Sequence, residues 1–125
     1  MNYLLDTHAF IWWLEDSTEL SATARKVISN PENRIFMSHA SLWELAIKIS
    51  IGRVVFPLAS IETELQQNGF EMLAIKTSHI ICSATLPEHH RDPFDRMLVA
   101  QSQIENITLI TFDKQVQAYD LMWEW

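Results

Sequence analysis

The sequence predicts an α/β fold, a three-layer sandwich in which a central, mostly parallel sheet is covered by helices on both faces. Short apolar runs alternate along the chain with longer segments in which apolar residues recur at helical spacing. The apolar runs are continuous, which is typical of strands buried on both faces of a parallel sheet. With 125 residues, 48% of them hydrophobic and only 2 of them glycine, the chain suits one compact domain spanning residues 1–125.

The first third of the chain predicts a strand, two helices and a second strand. A strand is expected at residues 2–6, and it runs into a helix at residues 10–15. Ser21 is placed to cap the next helix, whose apolar positions have helical spacing and which ends at Asn30-Pro31. The second strand is expected at residues 34–38.

The middle of the chain predicts two helices around a short extended piece. One helix, residues 41–52, stops at Gly52, and the extended piece precedes Pro57. An amphipathic helix at residues 58–69 then ends at a glycine. This alternation continues the pattern of the first third.

The last part predicts the remaining three strands and the helices between them. A strand at residues 70–75 precedes a helix at 77–86, and the next helix begins at Asp92 and runs to about Ile104. The most strongly β-prone run follows at residues 107–113 and ends in an aspartate. A helical turn and a possible edge strand close the chain, at residues 114–120 and 121–125.

Charge and composition exclude several classes of protein. The formal net charge of −7 argues against a generic nucleic-acid binder, but it leaves open an enzyme that acts on nucleic acid through a bound metal. The apolar N-terminal stretch is interrupted by Asp6 and His8, lacks a basic region and is too short to span a bilayer. The single cysteine, Cys82, fits a reducing compartment. A cytoplasmic protein that does not enter membranes is therefore expected.

Four carboxylates from distant parts of the chain are expected to meet at one edge of the sheet. Asp6 and Asp113 end two predicted strands, whereas Glu44 and Asp95 lie in early turns of predicted helices. The carboxyl ends of parallel strands share one edge, which is where ligands bind in such sheets. Four like charges need neutralising, and hard divalent cations prefer oxygen ligands. An all-carboxylate site without paired His or Cys predicts metal-dependent phosphodiester hydrolysis.

Several of these acids also have a structural explanation at the start of a helix. Asp92 directly before Pro93 is an ideal N-cap, and we assign it to that cap. Asp95 could complete the same cap or bind metal, and the local sequence favours neither. Glu44 could close a capping box with Ser41.

Other local explanations apply to the remaining acids. Glu44 could pair with Lys48 one turn on, and Asp113 could cap the turn after its strand. Asp6 is the hardest to explain this way, because an unpaired carboxylate inside an apolar segment is costly. The functional hypothesis therefore rests on the set of acids.

Neighbouring polar residues are candidates for supporting roles. Thr7 and Thr111 flank the strand-end acids, and Ser38 is a cap candidate facing the same edge. These three hydroxyls could contact the acids or act as local caps. In the stretch "HHRDPFDRMLVAQ", His89, His90 and Arg91 could contact a substrate, but a solvated loop is favoured. His8, His39 and His79 are expected to be packing residues, and any exposed tryptophan would mark a protein-binding surface.

Four motifs in order resemble a known family. They are "LLDTHAFIWWL", "SLWELAIKISIG", "HHRDPFDRMLVAQ" and "LITFDKQVQAY", and their order and spacing hold over essentially the whole chain. The chain resembles PIN-domain proteins, and specifically the VapC-like toxin ribonucleases of bacterial toxin–antitoxin pairs.

The resemblance implies a PIN fold and endonucleolytic cleavage of RNA that depends on Mg²⁺ or Mn²⁺. It also implies a homodimer and a small antitoxin that blocks the site. Asp95, and not Asp92, matches the family's third acid, because an apolar pattern follows it. The acids that match are Asp6, Glu44, Asp95 and Asp113. RNA contacts would fall to Lys48, Arg53, Arg91 and Arg96.

The resulting hypothesis gives each acid a role. Asp6 and Asp95 hold a divalent ion, Asp113 contributes directly or through water, and Glu44 binds a coordinated water or a second ion. Phosphatase or phosphoreceiver chemistry is disfavoured, because position 8 is His where such a phosphatase has a second Asp, and Asp6 stands alone. The other alternative is a non-catalytic PIN-like scaffold that binds a protein partner.

Overall fold

The sheet has five strands, and all of them run parallel. The computed structural model describes residues 1–125. The order β3-β2-β1-β4-β5 puts the first strand in the centre and the last one at an edge. The strands are β1 (Asn2–Leu5), β2 (Arg34–Ser38), β3 (Glu71–Leu73), β4 (Thr108–Ile110) and β5 (Trp123–Glu124). The predicted parallel sheet and its closing edge strand are confirmed.

Seven helices connect the strands. A short 3-10 turn, Leu58–Ser60, precedes the fourth helix, and Ser21 caps the second helix as predicted. None of the helices has the length and apolarity that crossing a membrane requires. The helices are α1 (Thr7–Leu14), α2 (Ala22–Ser29), α3 (His39–Ser50), α4 (Ile61–Asn68), α5 (Thr77–Thr85), α6 (Pro93–Glu105) and α7 (Lys114–Gln117).

Two hydrophobic cores lie on opposite faces of the sheet. Successive side chains of a strand point to opposite faces, so Tyr3 and Leu5 enter one core and Leu4 enters the other. The first core is completed by residues from α1, α2, α3 and α4. The second is completed mainly by α6 and α7, with Leu98, which is almost fully buried, from α6. The three-layer sandwich is thus confirmed.

The parallel arrangement brings several helix starts to one edge of the sheet. Helices α1 and α3 begin directly after β1 and β2, and α7 begins shortly after β4. Helix α6 leads into β4, so its first turn also lies toward the carboxyl ends of the strands. We call this side of the molecule the carboxyl edge. It is the side on which open α/β sheets bind ligands.

The structure corrects two local predictions at the carboxyl edge. Strand β4 ends at Ile110 and not at Asp113; the chain leaves the ladder so that Asp113 can cap α7, where its carboxylate accepts the N–H of Gln115 at 2.9 Å. Helix α3 is capped by Ser38, whose hydroxyl accepts the N–H of Ala40 at 3.0 Å. The predicted capping box of Ser41 and Glu44 is therefore wrong, because Ser41 already lies inside the helix.

Candidate functional site

Asp6 is a buried carboxylate at the end of the central strand. It follows β1 directly and caps α1, with its Oδ1 accepting the N–H of Ala9 at 2.7 Å. Burial raises the pKa of Asp6 from 3.8 to about 6, and the charge of Asp113 adds to the rise. The Thr111 hydroxyl, the Ala9 N–H and His8 lower that pKa and only partly offset the burial. Burial therefore dominates the environment of Asp6, and a nearby cation would stabilise its charged form.

Asp95 lies in the first turn of α6 and faces the other acids. Asp92 caps this helix, since its Oδ1 accepts the N–H groups of Phe94 and Asp95 at 2.8 and 3.1 Å, and Pro93 takes the first helical position. The Asp95 side chain does not return to the cap. Its Oδ2 lies 2.9 Å from Nε2 of His90. The cap at Asp92 is confirmed, and Asp95 is free for another role.

The pKa of Asp95 is raised by burial and also by neighbouring carboxylates, which shows that these carboxylates lie close to it. Burial and, after it, the charges of Asp92, Asp6 and Glu44 together raise this pKa from 3.8 to about 7. Only His90 acts in the opposite direction. Carboxylates from α6, α3 and the end of β1 are thus within electrostatic range of one another at the carboxyl edge, as the sequence predicted.

His90 bridges two of these carboxylates. Its Nε2 lies 2.9 Å from Oδ2 of Asp95 and 3.1 Å from Oδ2 of Asp113. On the other side of the ring, Nδ1 accepts the backbone N–H groups of Arg91 and Asp92 at 3.0 and 3.3 Å. Because Nδ1 accepts, we place the ring proton on Nε2, which donates to Asp113, while Oδ2 of Asp95 lies within ion-pair distance of the same nitrogen. His90 therefore supplies the hydrogen-bond donor of the acidic cluster.

The loop that carries His90 is held by two residues from elsewhere in the chain. The Arg96 guanidinium donates to the carbonyl oxygens of Ser83, Leu86, Pro87 and His90, at 2.8 to 3.2 Å. The Tyr119 hydroxyl accepts the N–H of His90 at 3.0 Å and donates to the Pro87 carbonyl at 2.7 Å. These long-range contacts fix the loop, so the His90 ring is positioned by tertiary structure.

Glu44 contributes a carboxylate from the second turn of α3. It is buried, and its Oε2 lies 3.6 Å from Nζ of Lys48, which confirms the predicted pair. Its Oε1 is buried without a hydrogen-bond partner. A buried carboxylate oxygen without a donor is costly, and a cation with coordinated water would satisfy it. This unpartnered oxygen fits a cation-binding role.

The hydroxyl groups named from the sequence lie around the same acids. The Thr7 hydroxyl is buried without a partner, whereas Ser38 is engaged in capping α3. The Thr111 hydroxyl accepts the N–H of Asp113 at 3.1 Å and lowers the pKa of Asp6. Supporting roles for these three residues remain predictions.

The basic residues named from the sequence have different environments. Arg53 and Arg91 are exposed, Lys48 pairs with Glu44, and the Arg96 guanidinium is occupied by backbone carbonyl oxygens. Their contacts with RNA remain predictions. Of the histidines expected to pack, His79 is fully buried, whereas His8 and His39 are exposed.

A metal ion could be held where three of these side chains meet. The ligand atoms of His90, Asp95 and Asp113 all lie within 4.8 Å of one another. A metal-bound histidine normally donates its other ring N–H to a second group, but Nδ1 of His90 accepts hydrogen bonds. The carboxylates are therefore the better ligands, and His90 is better placed as their donor. Asp6 and Glu44 lie outside this tightest group.

Two features of the site, the contact of His90 with Asp113 and a cavity, could not be predicted from the sequence. His90 was expected in a solvated loop, and no local pattern links it to Asp113. A cavity also opens beside Asp6 and Asp113. Its aromatic wall, formed by Trp12 and Phe112, joins residues 100 positions apart in the chain.

Comparison with known proteins agrees with this architecture. The family model for the PIN domain matches residues 3–121. No curated protein matches the sequence.

Solved structures with the same fold include toxin–antitoxin complexes. VapBC2 from Rickettsia felis, bound to a DNA fragment from their promoter, matches with a TM-score of 0.73 and 18% identity over 99% of this chain and 98% of that one. VapBC-1 from nontypeable Haemophilus influenzae matches with a TM-score of 0.68 and 23% identity over 99% and 97% of the two chains. FitAcB from Neisseria gonorrhoeae matches with a TM-score of 0.68 and 16% identity over 97% and 95%.

Proposed function

The chain belongs to the PIN-domain family, and on that basis we propose that it is a metal-dependent endoribonuclease, the toxin of a toxin–antitoxin pair. In this proposal residues 1–125 form a single PIN domain. The observation that carries it is the gathering of buried carboxylates around Asp95, whose pKa is raised to about 7 by burial and by neighbouring negative charges. Clustered buried carboxylates repel one another and so destabilise the folded state. A bound cation would neutralise this repulsion.

The donor set fits a hard divalent cation, Mg²⁺ or Mn²⁺. Asp6, Asp95 and Asp113 would hold the ion, and Glu44 would bind through its unpartnered Oε1, directly or through water. A bound ion would lower the pKa of a coordinated water and stabilise negative charge on a phosphoryl oxygen. The carboxylates would also accept hydrogen bonds from that water and so help to orient it.

The protein's own residues prepare the site in three ways. The caps at Asp6 and Asp92 fix the first turns of α1 and α6, so the acids are held before any ligand arrives. In the free protein His90 holds the Asp113 carboxylate beside Asp95 by donating from Nε2, a contact that a bound ion would replace. The Thr111 hydroxyl accepts a hydrogen bond from the backbone N–H of Asp113 and so helps to fix the position of Asp113. Preorganisation of this kind is a main source of catalytic stabilisation.

The proposal includes RNA as substrate, a cognate antitoxin and a homodimer. Structures of the same fold are toxin–antitoxin complexes, which supports an antitoxin partner. A cytoplasmic location belongs to the same proposal, since this substrate and the single Cys82 suit a reducing compartment.

A second candidate function is a PIN-like scaffold that binds protein without cleaving RNA. One observation favours it: an apolar stripe on α3 and the loop after it is exposed, with Trp43 at 64% and Val55 at 98% exposure. An exposed stripe of this kind is typical of a protein-binding surface. An antitoxin would use the same surface, so the stripe suits both candidates.

RNA cleavage by matched variants separates the two candidates. We expect the wild type to cleave RNA in Mn²⁺ or Mg²⁺ and both Asp6→Asn and Asp95→Asn to lose about a hundredfold or more in rate. Asp16→Asn, which alters an exposed carboxylate paired with Arg25, should keep wild-type activity. Equal activity in all four proteins would refute the catalytic site. A wild type that neither binds Mn²⁺ nor cleaves RNA would favour the scaffold.

A further inference from the structure

A cavity of about 380 Å³ opens beside the acidic cluster and has no role in the chemistry described above. It shares Asp6 and Asp113 with that cluster. Small-molecule sites typically measure about 300–1,000 Å³, so this cavity suits one small ligand. Its lining is formed by Asp6, His8, Trp12, Phe112, Asp113 and Lys114.

The phenyl ring of Phe112 is largely exposed to solvent, so it contributes little burial energy to folding. It lies between Thr111 and Asp113, in the segment that carries an acid to the site, and 57% of it is exposed. Its backbone neighbours are fixed, since the N–H of Thr111 donates to the Glu124 carbonyl and Asp113 caps α7. An aromatic ring that remains largely in water gives up much of its burial energy. Because this exposed ring lines the cavity, a ligand in the cavity could contact it.

The surrounding rings support Phe112 without covering it. Trp125 packs against Phe112 with ring centroids 5.6 Å apart and planes tilted by 55°, and Trp12 meets it edge-on at 6.5 Å and 67°. The exposed His8 ring lies 5.6 Å from Trp12 and extends the aromatic surface. Trp12 also meets Trp125 edge-on, with ring centroids 5.7 Å apart. Phe112 remains mostly exposed beside these contacts, so a planar ligand could stack on its open part.

One lysine at the cavity could contact a phosphate of a ligand. Lys114 lines the cavity, is exposed and has no ion-pair partner. The formal net charge of −7 leaves few cations to bind an RNA backbone. Stacking on aromatic side chains is the other main source of affinity for single-stranded nucleic acid, and it does not need positive charge.

We propose that Phe112 and Trp12 form a stacking subsite for one unpaired nucleobase of the RNA, next to the phosphodiester that the acids cleave. The inference rests on the proposed function and adds to it the side chains that contact one base of the substrate. A base in a duplex is already stacked and paired, so only an unpaired base can enter the cavity. The Lys114 ammonium contacts a neighbouring phosphate.

The test combines a protein variant with an RNA that lacks one base. Phe112→Leu keeps an apolar side chain against Trp125 but removes the aromatic face, and Phe112→Trp restores one. Trp123→Leu is the matched control, because Trp123 is a half-exposed aromatic that does not line the cavity. Thermal unfolding verifies that all variants fold.

The RNA is a labelled single-stranded oligoribonucleotide that spans a cleavage site mapped with the wild type in Mn²⁺. A series of such oligoribonucleotides each carries one abasic position. Single-turnover cleavage then gives the half-saturating protein concentration and the rate at saturation for each pair of protein and RNA.

We expect one abasic position near the cleaved bond to raise the half-saturating concentration about tenfold for the wild type. Phe112→Leu should show the same increase with intact RNA and no further increase with that abasic RNA, because both changes remove one stack. Phe112→Trp and Trp123→Leu should behave like the wild type. The rate at saturation should change far less than the half-saturating concentration.

Three results would overturn the subsite. The first is wild-type behaviour of Phe112→Leu with intact RNA, which would assign the exposed ring to a protein contact. The second is that the effects of Phe112→Leu and of each abasic position multiply independently. The third is a wild type that does not cleave RNA at all, which would remove the proposed function as well, whereas the first two leave that function intact.

Discussion

Replacing Asp6 by Asn should stabilise the metal-free protein while removing its response to metal. The Asp6 carboxylate is 5% exposed and caps α1 through the N–H of Ala9. Asn is also a good N-cap, so Asp6→Asn keeps the hydrogen bond and the shape of the side chain. The change removes only the buried negative charge.

The size of the effect follows from the raised pKa of Asp6. In the folded protein this pKa is raised from 3.8 to about 6, so the folded state binds a proton more tightly than the unfolded state does. Stability therefore falls as the pH rises from about 4 to about 6, and the loss above that range is on the order of 3 kcal/mol. Asp6→Asn should recover up to this amount at about pH 8, about half of it near pH 5 and little of it below about pH 4.

Thermal unfolding followed by circular dichroism measures both parts of this prediction. For a domain of this size a gain of about 3 kcal/mol corresponds to a rise of roughly 10 °C in the Tm. In chelator at about pH 8 the variant should therefore melt well above the wild type; the difference should be about half as large near pH 5 and should vanish below about pH 4. Saturating Mn²⁺ should raise the Tm of the wild type, because it binds only the folded state, but not that of the variant.

Two outcomes would refute this reasoning. If the variant melts below the wild type in chelator near pH 8, the Asp6 carboxylate makes a stabilising contact that the structure does not contain. If Mn²⁺ raises the Tm of both proteins equally, Asp6 is not a metal ligand. Asp16→Asn serves as the control, since its exposed carboxylate should give neither effect.

Three further predictions concern the other residues of the site. His90→Ala should bind Mn²⁺ about tenfold more tightly in calorimetry, because its Nε2–H competes for two carboxylates, and His89→Ala should not; weaker binding would make His90 a ligand. The affinity for Mn²⁺ should fall as the pH is lowered below about 7, since protons compete at Asp95 and Asp6, and a flat pH profile would argue against both as ligands. Asp92→Ala should lose about 1 kcal/mol in urea unfolding through its missing cap and should still bind Mn²⁺; loss of binding would give Asp92 a direct role.

The parts of the fold that could be predicted are those that local chemistry determines. Continuous apolar runs predicted β1 and β2, and Asp92 followed by Pro93 predicted the start of α6. These predictions were possible because each signal depends only on neighbouring residues in the chain. The role of Asp95 was not determined locally: the resemblance to the family, and not the cap signal, selected it over Asp92. The topology of a parallel sheet then brought the remaining acids to one edge.

The parts that could not be predicted depend on contacts between distant residues. The bridge from His90 to Asp113 requires a loop shape that Arg96 and Tyr119 impose, and neither residue is marked in the sequence as a loop anchor. The early end of β4 is different, because the Asp113 cap is a local contact that the sequence analysis had already considered. Only the position of the His90 ring depended on tertiary structure.

The most direct test of the central claim is cleavage of single-stranded RNA after removal and return of the metal. Purified wild type and Asp95→Asn are treated with chelator, dialysed and supplied with Mn²⁺, and cleavage is followed on a denaturing gel. We expect the wild type to lose activity in chelator and to regain it with Mn²⁺, while Asp95→Asn stays inactive under both conditions. Cleavage that survives the chelator, or that Asp95→Asn performs at the wild-type rate, would contradict a metal-dependent carboxylate site.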